Sequence, residues 1–208
     1  MKIAVIAAPQ VDFLDENGTL TVQNADSFKS TLQGYIDHIS LNYDYNAIVF
    51  TAQSNDMDDY ENSEKAKVLD PHCYIGTDGW NFGIDVSDCH YDKKKLDCFI
   101  MHHPEFNIWD GRPKIRNLIP NSGVYSMQTV SDASEWFTEM CELGLDEVEL
   151  SGALFKTHIL PSINGFLARD FKVTIYDNLV ADITDIELSN SLRTRYGRSM
   201  ADGELIVA

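Results

Sequence analysis

The stretch from Glu147 to Asp182 constrains the fold more than any other part of the chain. Glu147-Val-Glu-Leu-Ser151 alternates in polarity as a strand does, and Gly152 marks a turn. Ile159, Ile163, Phe166 and Leu167 then recur at helical spacing, and Phe171-Lys-Val-Thr-Ile-Tyr176 is strand-like again. Strand, turn, helix, strand is a βαβ unit. The residues just past its first strand fall at the carboxyl edge of a sheet, where open α/β folds bind ligands. The free N–H groups and dipole of a helix start favour negative charge at that point. Thr157 and His158 occupy this place. By position alone His158 is equally a polar residue finishing a helix start.

The remainder of the chain supplies further elements of both kinds. Lys2 to Ala8 is a continuous apolar run, the pattern of a strand buried on both faces of a parallel sheet. Asp26 is placed to cap a helix that carries Phe28, Leu32, Tyr35, Ile36 and Ile39 on one face. Asn46 to Thr51 and Asp97 to Met101 are the next strands. Residues 110–131 read as a short helix with loops, plus a strand near Gly123. Asp132-Ala-Ser-Glu135 is a capping box for a helix from Ala133 to Leu143 that buries Trp136, Phe137, Met140 and Leu143 and ends at Gly144. A polar helix-like segment runs to Met200, followed by a strand from Glu204 to Val207. The sum is an α/β fold: one domain over residues 1–208, a parallel sheet with helices on both faces, Rossmann-like in its three layers.

With 208 residues, 44% of them apolar, the chain can build the core such a domain needs. Its formal net charge of −17 argues against a nucleic-acid or anionic-membrane partner bound through a basic surface. No run of eighteen apolar residues is present to span a membrane, and Met1-Lys-Ile-Ala-Val-Ile-Ala-Ala8 is too short for a signal sequence. Cys73, Cys89, Cys98 and Cys141 form no C-x-x-C pair and suit reduced thiols of a cytoplasmic protein. The acidic stretch Asp56 to Glu64 lacks the spacing of a calcium loop and reads as solvated. Lys93-Lys-Lys-Leu96 reads as a solvated turn, and Arg193, Arg195 and Arg198 as a basic helix face.

Specific motifs accompany this pattern. Ser151-Gly-Ala-Leu-Phe-Lys-Thr-His-Ile159 is followed by Asp170-Phe-Lys-Val173 and Asp177-Asn-Leu-Val-Ala-Asp182. Asp70-Pro-His-Cys-Tyr-Ile-Gly-Thr-Asp-Gly-Trp-Asn-Phe82 lies earlier, and Gln10, Asp12, Phe13, Gly18, Leu20, Val22, Ala25 and Asp26 lie near the start. Together these resemble the isochorismatase-like (nicotinamidase-like) cysteine hydrolases over Ile3 to Asp182. The resemblance implies the fold just described and homo-oligomerisation. It also implies an Asp-Lys-Cys triad whose thiolate attacks an amide or ester carbonyl. All three triad positions differ here. By the resemblance, Ala8 stands where the general base belongs, His103 where the Lys belongs, and His158 where the nucleophilic Cys belongs. Asp12 matches a carboxylate that is mainly structural in the family. Thr157, Phe106, Trp109 and Cys73 would line the pocket with the triad positions.

The family's nicotinamidases hold a divalent metal with an Asp and two His. The corresponding residues here are Gln53, Asn55 and His72. One imidazole and two neutral amides make a poor site for zinc or manganese. No cofactor is therefore expected, and His72 reads as a structural remnant. A zinc held jointly by His72, His103 and His158 is the exception to be checked.

Three functional readings follow. The first is a member that has lost the ancestral hydrolysis and keeps its scaffold for binding, regulation or assembly. In the second, His158 and His103 perform different acid–base or nucleophilic chemistry on small amides or esters, since imidazoles titrate near neutral pH. In the third, hydrolysis runs from another nucleophile, for which Cys73 is the candidate thiol. A small-molecule ligand is compatible with each.

Overall fold

The structure is a computed structural model and describes residues 1–42, 44–90, 97–118 and 131–208. Its strands are β1 (Lys2–Ala7), β2 (Ala47–Gln53), β3 (Asp97–His103), β4 (Lys114–Asn117), β5 (Ser131–Asp132), β6 (Glu147–Ala153), β7 (Lys172–Ile175), β8 (Val180–Ala181) and β9 (Leu205–Val207). The helices are α1 (Val11–Leu14), α2 (Ala25–Ser40), α3 (Met57–Glu61), α4 (Ala133–Glu142), α5 (Leu160–Leu167) and α6 (Leu188–Ala201), with a π-helical turn at Phe155–Ile159 leading into α5.

β1 lies inside the sheet, parallel to β2 on one side and β6 on the other. The strand order among the described residues is β5-β4-β3-β2-β1-β6-β7-β9, with β8 paired to the end of β6. Every pairing is parallel except those of β4, which runs against both β3 and β5 at one edge. The unbroken apolar run of β1 now has its reason. Ile3, Val5 and Ala7 point into a core shared with Trp136 and Phe137 of α4, Ile163 and Phe166 of α5, and Leu188 and Leu192 of α6. Ala4 and Ile6 point the other way, into a core with Phe28, Leu32 and Ile36 of α2. Strand alternation therefore puts apolar residues on both faces, and a helical layer covers each.

Several local expectations give way to tertiary context. Asn24, in a left-handed conformation, occupies the N-cap of α2, and Asp26 lies inside the first turn. The buried stripe of α2 is otherwise as read, with Tyr35 half-buried. Asp132 does cap α4, accepting the Ser134 N–H at 3.0 Å. α4 stops before Leu143, whose side chain is 66% exposed because the chain turns away there toward Gly144. The acidic stretch contains α3, capped by Asp56 accepting from the Asp58 and Asp59 amides. Within residues 110–118 the structure has β4 rather than a helix, since Ile115 and Arg116 are buried as it pairs with β3. The strand expected near Gly123 and the turn at Lys93–Leu96 lie outside the described residues.

Gly152 is not a turn. It continues β6 with φ +117, directly beside Ala7 of β1. A Cβ at this position would lie 2.1 Å from the Ala7 carbonyl oxygen and 2.7 Å from its nitrogen. Both the backbone angle and the space demand glycine. Gly152→Ala is expected to lower folding stability by about 3 kcal/mol, combining a strained φ with overpacking. Urea denaturation of the two proteins measures it, and a loss under about 0.5 kcal/mol, the level of an ordinary surface change, would contradict the assignment.

Candidate functional site at the carboxyl edge of the sheet

Because β1, β2, β3 and β6 are parallel and in register, their carboxyl ends share one edge. Ala7 pairs with Gly152, and Gln53 pairs with His103. Ala8 follows β1, Gln53 and His103 end β2 and β3, and His158 follows β6 in the π-helical turn. The four lie at this edge, with the His103 and His158 ring centroids 5.8 Å apart. Phe13 of α1 packs against the rings of both His158 and His72, at 5.5 and 5.6 Å, and Phe106 faces His158 at 6.3 Å. Ala8 and Cys73 are both held at left-handed φ, +43 and +49. Such strain in residues other than glycine persists where surrounding structure imposes it, and it gathers at functional sites.

Hydrogen bonds engage both ring nitrogens of each of the two triad-position histidines. His158 Nε2 is 2.8 Å from Gln53 Oε1. Its Nδ1 lies 3.1 Å from the Leu154 backbone N–H and 3.0 Å from the Ala153 carbonyl oxygen. His103 Nδ1 donates to the Glu105 carbonyl at 2.6 Å, and its Nε2 accepts from the Thr51 hydroxyl at 3.3 Å. Thr51 Oγ1 in turn accepts the Ala8 N–H at 3.1 Å. Both imidazoles are 0% exposed and neutral. Burial holds His103 down to about 4, and the Lys65 charge adds to it. Burial, followed by the neighbouring His103 and His72 and by Lys65, holds His158 well below its ordinary value. Neither ring titrates near neutral pH, and neither is open to solvent. His102 points away, as a residue one step off on a strand must. It meets the Ser54 hydroxyl at 3.0 Å and packs on Trp80.

The positions matched to the family's metal ligands are also committed. The Asn55 amide donates to the His72 carbonyl at 2.8 Å and accepts from Lys65 Nζ at 3.0 Å. His72 Nδ1 stands 2.7 Å from the Asp70 carbonyl, and burial keeps the pKa of the His72 ring low. Its Nε2 lies 3.0 Å from the Gln53 oxygen that His158 also approaches. Gln53 Nε2 has no hydrogen-bond partner among the described residues. Zinc would need the ring nitrogens of His72, His103 and His158 aimed at one point. The Nε2 atoms of His72 and His158 are instead directed at an amide and that of His103 at a hydroxyl, and no cluster of three metal-ligating side chains occurs among the described residues. These residues do not fit the metal.

The remaining expected pocket residues divide. Phe106 belongs to the cluster. Thr157 is half-buried, with its hydroxyl oxygen buried and unpartnered among the described residues. Trp109 lies in the helical layer, packed on Phe137 at 4.8 Å and Phe166 at 5.1 Å and stacked under the Arg169 guanidinium. The Cys73 thiol is buried and turned to the Gly79 carbonyl at 3.9 Å. Burial and the adjacent Asp12 carboxylate push its pKa well up, the opposite of nucleophile activation. Asp12 is structural: it accepts the Cys73 N–H at 2.6 Å and both the N–H and hydroxyl of Thr19. Sequence reasoning missed Thr51, Lys65 and Gln10. The strand-end position of Thr51 was the one available signal, since a hydroxyl there faces the neighbouring strand ends.

No protein-family model matches the sequence, and no curated protein matches it. Solved structures do match. The nicotinamidase of Bacillus subtilis superposes with a TM-score of 0.71 at 20% identity, over 100% of this chain and 98% of that one. PnC1 from L. infantum, solved in complex with nicotinate, gives 0.67 at 16% over 100% and 92%. The pyrazinamidase of Pyrococcus horikoshii, solved in complex with zinc, gives 0.64 at 16% over 100% and 98%. The chain therefore has the α/β fold of these structures, matched over 92–98% of their length.

The buried imidazoles make stability depend on pH. His102 and His103 are held at about 4 in the fold against 6.5 ordinarily, so between those values the unfolded chain binds protons that the folded chain does not. Stability is expected to be full above about pH 6.5 and to fall as pH drops toward 4, by about 3 kcal/mol for His103. Denaturation curves across this range test it, and a flat profile refutes it. Gln53→Leu removes the acceptor for a buried imidazole N–H and is expected to cost about 2 kcal/mol by the same measurement.

Proposed function

We propose that the protein belongs to the isochorismatase-like family, has lost its cysteine-hydrolase chemistry, and serves a regulatory or assembly role. The observation that carries this reading is the state of the three aligned triad positions. Ala8 offers no base, and His103 and His158 are completely buried, neutral and hydrogen-bonded within the fold. An attacking or proton-transferring group has to reach its substrate at a useful pKa. The buried, up-shifted Cys73 thiol supports the same conclusion for the alternative nucleophile.

The L. infantum protein was solved with nicotinate, so pyridine carboxylates and carboxamides are the small molecules to try first. In this chain Phe13, Phe106 and two imidazoles pack together at the corresponding edge, and this packing supports assembly over small-molecule capture. Self-association, implied by the resemblance, is the expected outcome of light scattering on the purified chain. A cytoplasmic location accords with its four free cysteines, of which Cys141 is exposed.

Purified protein incubated with nicotinamide is expected to release no ammonia above background, and isochorismate is expected to remain intact. Restoring all three residues (Ala8→Asp, His103→Lys, His158→Cys) is expected to bring back measurable turnover. Steady ammonia release by the unmodified chain, abolished by Cys73→Ala, would defeat the reading and favour the thiol enzyme.

A further inference from the structure

We propose that the Lys65 ammonium is a tethered replacement for the divalent cation, and that it bars metal from the edge where Gln53, Asn55 and His72 stand. The inference rests on the family reading for the identity of those three positions. The contacts themselves are independent of it.

Lys65 opens the short 3-10 turn Lys65–Lys67 and extends its side chain inward, where it is only 11% exposed. Its Nζ lies 3.0 Å from Asn55 Oδ1, bonds to the Pro104 carbonyl, and sits 3.8 Å from Glu105 Oε2. Amide, carbonyl and carboxylate oxygens from two separate segments thus gather around one cation. The site is coupled to His72 twice over. Asn55, which receives Lys65 through its oxygen, donates through its nitrogen to the His72 carbonyl. The Tyr60 ring, which Lys65 overlies at 5.6 Å, packs edge-on against the His72 ring at 5.4 Å.

This arrangement explains the choice of ligands. A single ammonium is satisfied by neutral amide and carbonyl oxygens together with one carboxylate at longer range. A divalent ion among imidazoles requires more anionic or imidazole donors than Gln53 and Asn55 supply. A metal bound through Asn55 would also meet the Lys65 charge, whose Nζ already holds the Asn55 oxygen at 3.0 Å. The loss of an aspartate and a histidine and the presence of Lys65 are thereby one change rather than three.

Cobalt(II) and zinc(II) binding to the full-length chain tests the proposal, by equilibrium dialysis and by the cobalt absorption spectrum, which distinguishes imidazole from thiolate ligation. The unmodified chain is expected to hold no cobalt that depends on His72. Gln53→Asp with Asn55→His supplies the missing donors. Adding Lys65→Ala to that pair is expected to raise cobalt affinity at least tenfold, and His72→Ala to abolish the gain. One His72-dependent cobalt per unmodified chain would overturn the proposal, whether or not any redesigned variant folds. So would equal affinity with and without Lys65, or a folded triple variant that takes up no cobalt. Thermal melts identify folded variants. The ammonia assay is separate, so failure here leaves the loss of hydrolysis standing, and failure there leaves the cation exclusion standing.

Discussion

The carboxyl edge depends on one side-chain amide imitating a strand. Gln10 accepts the Gln53 N–H at 2.8 Å and donates to the Gln53 carbonyl at 2.9 Å, with a further bond to the Trp80 carbonyl at 3.0 Å. β1 has already ended at Ala7, so these bonds give the last residue of β2 the partners that a longer neighbour would have provided. Without them two buried backbone groups would go unpaired, at about 1–3 kcal/mol each. The same bonds fix where the Gln53 side chain starts. Its oxygen then reaches His158, and the position of that imidazole determines how Phe13 and Phe106 close over the edge.

Much of this architecture was legible in the residues. The β1 run could only be a strand covered on both faces, and α2 showed its buried stripe at Phe28, Leu32, Ile36 and Ile39. The convergence of Ala8, His103 and His158 followed from placing each just after a core strand, because parallel register brings such ends together. What sequence could not supply was the conduct of each side chain once there. Nothing local tells that His103 hands its hydrogen to the Glu105 carbonyl, or that Lys65 reaches across to Asn55. β4 hid for a different reason: Lys114-Ile-Arg-Asn117 is mostly polar, and its pairing with β3 rather than its own pattern makes it a strand. Gly152 misled because glycine signals a turn and a close backbone approach equally well.

The substitutions at the edge are mutually dependent. Ala8 is small beside the two imidazoles of His103 and His158, and all three are completely buried, so their volumes must fit together as in any close-packed interior. Polarity compensates too. Thr51 sits between the Ala8 amide and His103 Nε2 and leaves both satisfied through one hydroxyl. A single substitution at His103 or His158 would therefore leave a buried group without its partner, which is the usual reason that neighbouring changes fail to add.

The bond from the Leu154 N–H to His158 Nδ1 has a broader meaning. Enzymes that stabilise an oxyanion keep backbone donors pointed at empty space, waiting for charge that exists only during reaction. Such waiting groups are local frustration: the fold tolerates them for the sake of activity. In this chain an imidazole answers the donor permanently from four residues along the same turn. At this edge of the sheet the donor is matched within the fold, and the bond supports folding rather than opposing it. A donor matched in this way adds to stability with no ligand present, and freeing it to bind one would cost the fold that bond.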